Sequence, residues 1–144
     1  MNATGDSEDE VLRLLRMHVP GLASGAVRIR GFARERGRLS MICVEASDRD
    51  GDPIGICAPG ARVVVRSLAS AERVEVVRWS DSPEALIRNV LGGTAPERVV
   101  LDATTRRANL TMAAETATVL ASDGGVRLRV ASQVTGWDLQ VITP

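Results

Sequence analysis

The chain repeats itself. Set the second half against the first with a shift of 65 residues (125 − 60), and Gly60 falls on Gly125, Arg62 on Arg127, Val63 on Leu128, Val65 on Val130 and Ser67 on Ser132. Val74 then falls on Leu139, Val76 on Val141 and Val77 on Ile142. The match runs without a gap through a loop pattern, a helix pattern and a strand pattern. Each half is also preceded by a hairpin pattern and a short helix pattern. A duplicated unit of strand, strand, helix, loop, helix, strand is the simplest account. A unit of about 60 residues has a marginal core of its own. The two units should therefore pack on each other, with a helix at 83–91 as the joint.

Composition narrows what such a pair can do. Of the 144 residues, 44% are apolar and 25% charged, which suits a globular chain and argues against disorder. Every basic residue is Arg, the better bidentate ligand for phosphate. Yet the net charge is zero, so the field of the whole molecule will not draw in nucleic acid, and any anion site must be local. The opening stretch MNATGDSEDE is polar and acidic, without a signal-peptide pattern, and no apolar run has the length of a membrane span. A cytoplasmic location without a membrane partner is the expectation. Cys43 and Cys57 stand without a Cys or His at ligand spacing and read as buried free thiols. His18 has no partners suggesting a metal site or a triad. No cofactor, metal or catalytic constellation is expected, and the chain does not read as an enzyme.

Along the chain, residues 1–7 read as a tail, and Ser7 with Glu10 makes a capping-box pattern for a helix that ends before Pro20. Residues 26–46 alternate as two strands about a turn at Gly37. IGICAPG (54–60) reads as a short helix or turn ending in a Pro-Gly loop, and a helix follows at 61–70 with Val63, Val64 and Leu68 inside and Arg62 and Arg66 outside. A strand at 73–79 precedes the helix at 83–91, which has an Asp or Ser cap with Pro83 and Glu84 in its first turn. A hairpin at 98–112, a short helix at 113–121 and a polar loop at 122–125 lead into the closing helix and strand.

That order resembles the bacterial-type KH fold, and the likeness reaches individual motifs. HVPGLASGAVRIRGFARERGR resembles the opening of the KH pair in NusA-type transcription factors. DPIGIC is similar to that family's Asp-Pro-Val-Gly-Ala-Cys, VEVVRWSDSPEALIRNVL to its joint between KH units, and VRLRVASQVTGW to its closing helix and Thr-Gly-Trp corner. The resemblance spans residues 10–143. It implies an α+β fold of two tandem type II KH domains, each a three-stranded sheet with helices on one face. Residues 1–21 would be a tail and short helix, 22–79 the first KH domain, and 80–144 the second together with the joining helix. It further implies binding of single-stranded RNA in transcription elongation, termination or antitermination. The family's polymerase-binding domain and oligonucleotide-binding barrel have no matching motif here. The alternative is a KH pair that has lost RNA binding and serves as a protein-interaction module toward RNA polymerase or a NusA-type factor.

In KH units a Gly-x-x-Gly loop clamps the backbone of about four nucleotides, because glycine lets the backbone approach and the next helix offers free N–H groups to phosphate. The first unit reads CAPGARV where the family has Cys-x-Gly-x-x-Gly-x-Arg-Val, two residues longer; Gly60 and Arg62 match. The second reads Ser122-Asp123-Gly124-Gly125, with a Ser for the opening Gly and an acid in the middle. Gly60, Arg62, Arg66, Ser122, Asp123, Gly124, Gly125 and Arg127 are the expected RNA contacts, with weakened affinity. Asp123 is also expected to cap the following helix. Trp79 and Trp137 match core tryptophans of the family and should pack rather than stack on bases.

Overall fold

The computed structural model describes residues 8–144. The expected Ser7 cap lies outside them, and the cap observed is Asp9, whose carboxylate accepts a 2.7 Å hydrogen bond from the Val11 N–H. Helix α1 (Glu10–His18) turns Val11 and Leu15 inward, and Pro20 opens the single turn of α2 (Pro20–Ser24). Strand β1 (Val27–Glu35) reverses at Gly37, whose φ of +81° suits glycine, into β2 (Leu39–Ala46). Helix α3 (Pro53–Ser67) leads to β3 (Arg73–Arg78). Helix α4 (Pro83–Leu91) starts where the Ser82 hydroxyl accepts from the Ala85 N–H. Strands β4 (Arg98–Asp102) and β5 (Arg107–Thr111) form the second hairpin, followed by α5 (Ala114–Thr135), broken at 122–125 into two arms, and β6 (Asp138–Ile142).

The repeat is visible in three dimensions. Each half forms a three-stranded sheet, β1-β2-β3 and β4-β5-β6, antiparallel across its hairpin and parallel at its last strand. Leu39 pairs with Arg73 in the first sheet and Arg107 with Asp138 in the second, so the last strands keep the shift of 65 residues (138 − 73) while the middle strands stand 68 apart (107 − 39).

The joint between the halves is more extensive than one helix. Every residue from Leu39 to Val44 is buried. Ile42 and Val44 join the core under α1 and α3, while Leu39, Met41 and Cys43 face the other way into a core shared with α4 and α5. The first sheet is thus covered on both faces, by its own helices and by those of the second half, which accounts for the continuous apolar run of β2. Leu86, Ile87, Val90 and Leu91 supply the α4 side of this core, and Trp79 packs against it. At the positions of Leu39, Met41 and Cys43 the second sheet carries Arg107, Asn109 and Thr111, so its outer face is polar. Both cysteines are buried and free, and burial pushes the Cys43 thiol up to about 11.

One expected element is not formed. The Pro-Gly loop read at 58–60 is absent, and α3 runs straight through it. Pro59 takes its place inside the helix on the exposed side, and Gly60 is buried. A Cβ at Gly60 would lie 2.5 Å from the His18 carbonyl oxygen and 2.5 Å from Val19 Cγ2. Gly60 therefore serves the close approach of α1 to α3, a demand that comes from a segment some forty residues away in sequence.

Candidate nucleic-acid interface

The loop expected between the two helices of each half forms in the second half and not in the first. Ser122 is extended, and Asp123 (φ 55°, ψ 36°), Gly124 (69°, 18°) and Gly125 (77°, 22°) are three successive left-handed residues. A non-glycine residue pays about 1–2 kcal/mol for that conformation, less for Asp, and glycine none. The Ser122 hydroxyl closes the first arm by donating to the Val119 carbonyl at 2.6 Å. Residues 122–124 are exposed, and the second arm starts at Val126. The expected capping role of Asp123 is not met. A capping residue is extended, whereas Asp123 is left-handed and its carboxylate oxygen lies 3.8 Å from Nη2 of Arg73.

Arginines from both halves close on this loop. Arg38, in the first hairpin turn, donates through Nη1 to the Asp123 carbonyl at 3.3 Å. Arg129 donates to the Gly124 carbonyl and grips Glu35 through Nε at 2.9 Å and Nη2 at 2.6 Å. That grip holds the Glu35 carboxyl below the usual carboxylate range. Arg73 lies between Asp123 and Glu75. Arg127 turns away from solvent, donating to Glu75 and, at 3.2 Å, to the Val90 carbonyl. Arg127, one of the expected RNA contacts, thus bridges the two halves. Four guanidiniums meet the carboxylates of Glu35, Glu75 and Asp123, which leaves only a small local excess of positive charge. A cleft of about 430 Å³ opens beside the loop, lined by Arg73, Leu91, Gly93, Val119, Ser122 and Val126.

The remaining expected residues stand elsewhere. Arg62 and Arg66 are exposed on α3, and Arg62 borders a shallow apolar groove of about 230 Å³ formed by Ile54, Ala58, Ala61, Val65, Val74 and Val76. The eight expected residues therefore form no single site. Ser122 to Gly125 make a loop, Arg62 and Arg66 a separate surface, and Gly60 and Arg127 point inward. Arg73 was not among the residues expected from sequence. It lies fifty residues from Asp123 along the chain, and only the packing of the halves brings the two together.

The tryptophans offer no stacking platform. Trp137 is buried, with the Arg106 guanidinium 4.6 Å from its ring centre. Trp79 carries Arg30 at 4.9 Å and donates from Nε1 to Asp81 at 3.1 Å. No helix among the described residues is long and apolar enough to cross a membrane.

Two sheets of the same strand order, each joined by a crossover of helix before a parallel last strand, define a tandem of bacterial-type KH domains. The chain belongs to the NusA-like first KH domain family, whose model matches residues 6–79. It is similar to the transcription termination/antitermination protein NusA of Thermus thermophilus, 33% identical over 129 residues, which is 88% of this chain and 33% of that protein. The protein of the same description from Rickettsia conorii is 28% identical over 139 residues, 92% of this chain and 28% of its own length. The chain thus spans about a third of the length of these relatives. The crystal structure of APE1850 has the same fold, with a TM-score of 0.60 at 18% identity, covering 92% of this chain and 99% of that one.

Proposed function

We propose that the protein is a NusA-like factor that binds single-stranded RNA in transcription elongation, termination or antitermination, weakly and through the loop at 122–125. The observation that carries this reading is the left-handed run Asp123-Gly124-Gly125 ahead of a helix N-terminus, with Arg38, Arg73 and Arg129 around it. Exposed backbone at that turn is what a sugar–phosphate chain needs. Affinity is modest because each guanidinium already has an acidic or carbonyl partner and no aromatic ring is free to stack. Arg62 and Arg66 form a secondary electrostatic contact. The RNA is met in the cytoplasm, with RNA polymerase or its transcription factors as protein partners.

The test is a fluorescence anisotropy titration of single-stranded RNA at several salt concentrations. Binding at low salt should weaken steeply as salt rises, with a slope of about −0.7 per phosphate contacted. No binding at low salt refutes the reading.

A second reading has its own support in the unbroken α3. A first half without a phosphate clamp, yet with an apolar groove beside the exposed Arg62 and Arg66, suits a protein-interaction module toward RNA polymerase or a NusA-type factor. This reading leads if the titration is flat.

A further inference from the structure

We infer that the Asp123 carboxylate stands where an RNA phosphate would stand, and that Arg38 and Arg73, from the first half of the chain, are phosphate ligands of the second half's loop. This rests on the RNA-binding reading above. Neither arginine belongs to the loop or its helix. Arg38 lies in the turn between β1 and β2, and Arg73 opens β3. Yet Arg73 Nη2 is 3.8 Å from Asp123 Oδ2, and Arg38 Nη1 is 3.3 Å from the Asp123 carbonyl oxygen. Arg38 Nη1 is also 3.7 Å from where a Cβ on Gly124 would be, so the guanidinium rests on the part of the loop that a sugar–phosphate chain would cross.

The two arginines are held loosely, and that separates them from their neighbours. Arg127 is fixed by Glu75 and a backbone carbonyl, and Arg129 by three bonds to Glu35 and Gly124. Arg73 has only long contacts, 4.0 Å to Glu75 and 3.8 Å to Asp123. Arg38 has its carbonyl bond and a 3.7 Å approach to Glu35. Their side chains are about half exposed, and that of Asp123 is 71% exposed. Exposed pairs at such distances are weak. A phosphate offers a guanidinium the same oxyanion geometry with a better bidentate match, so it can take the place of the carboxylate. On this account RNA binds by exchange: the Asp123 side chain swings out, and Arg73 passes from carboxylate to phosphate.

The test uses a short fluorescein-labelled oligouridylate and the full chain, in anisotropy titrations over a range of salt. The variants are Asp123→Asn, Arg73→Ala, their double and Arg38→Ala. Asn tolerates the left-handed backbone, so the loop keeps its shape. Asp123→Asn should tighten binding by about 2- to 5-fold and steepen the logarithmic salt slope by about 0.7. Arg73→Ala and Arg38→Ala should each weaken binding and flatten the slope by a similar amount. In the Arg73→Ala background the gain from Asp123→Asn should shrink by at least about half, because only repulsion remains to be relieved. An equal gain in both backgrounds, with the wild type still binding, overturns the exchange and leaves the RNA-binding reading intact. Absence of binding in every variant overturns both.

Discussion

Glu72 and Arg34 form an ion pair sealed inside the first half: Arg34 Nη2 lies 2.9 Å from Glu72 Oε1, and the Glu72 side chain has no exposure to solvent. Glu72 precedes β3, Arg34 belongs to β1, and the Ser40 hydroxyl of β2 and the Gly37 N–H also donate to the same carboxylate. Arg34 reaches on to Asp9, the cap of α1. One buried carboxylate thus ties all three strands and the first helix together. Removing one partner of such a pair leaves an uncompensated buried charge, so Glu72→Ala should cost about 3–5 kcal/mol. Urea denaturation of wild type and variant measures this, and a loss under about 1 kcal/mol would contradict it.

The same pair sets a pH dependence. Burial alone would raise the Glu72 carboxyl, but the hydrogen bonds from Arg34, Ser40 and Gly37 outweigh it and bring it below the usual range. A carboxyl depressed in the folded state contributes stability above its unfolded pKa of about 4.3 and loses it as pH falls through the folded value. Stability should therefore decline below about pH 4.3, and less so in Glu72→Gln. Parallel acid-denaturation profiles for the two proteins would contradict the role given to Glu72.

Gly60→Ala separates packing from RNA contact. Alanine favours a helix over glycine by about 1 kcal/mol. Here, however, its methyl would sit 2.5 Å from the His18 carbonyl oxygen, on the backbone of a neighbouring segment. Overpacking of that kind costs about 1–3 kcal/mol. The expected outcome is a net loss in urea midpoint with RNA affinity unchanged. A stabilised variant would mean that α1 can move away at no cost.

Leu86 lies in the core that joins the halves, 4% exposed, with Met41, Cys43 and Val77 of the first sheet in the same cluster. Leu86→Ala should cost about 2–5 kcal/mol. Because that core belongs to both halves, fluorescence of the two tryptophans and far-UV dichroism should still report a single coincident transition. Two separated transitions would show that the halves fold independently.

Much of this was legible because the repeat and the alternation of β-branched residues are local. The strands, Gly37 and the helix at 83–91 with its Ser82 cap follow from neighbours within a few positions. The continuity of α3 was not legible. Gly60 and Gly125 fall on each other in the sequence, yet one is buried in a continuous helix against the end of α1 and the other is left-handed in a loop. Asp123 misled in the same way. A short acid before a helix reads as a cap, but Arg38 and Arg73 meet it from the other half of the chain. Arg127 reads in the sequence as available for phosphate, and the fold brings Glu75 beside it. Sites made by packing between halves leave little trace in a linear pattern.

The central claim is that RNA is held at the loop of the second half. Backbone amide chemical shifts during titration with single-stranded RNA test it most directly. The account predicts the largest perturbations at 123–127 and around Arg38 and Arg73, fading as salt is raised. Perturbations confined to α3 around Arg62, or none at low salt, would contradict it.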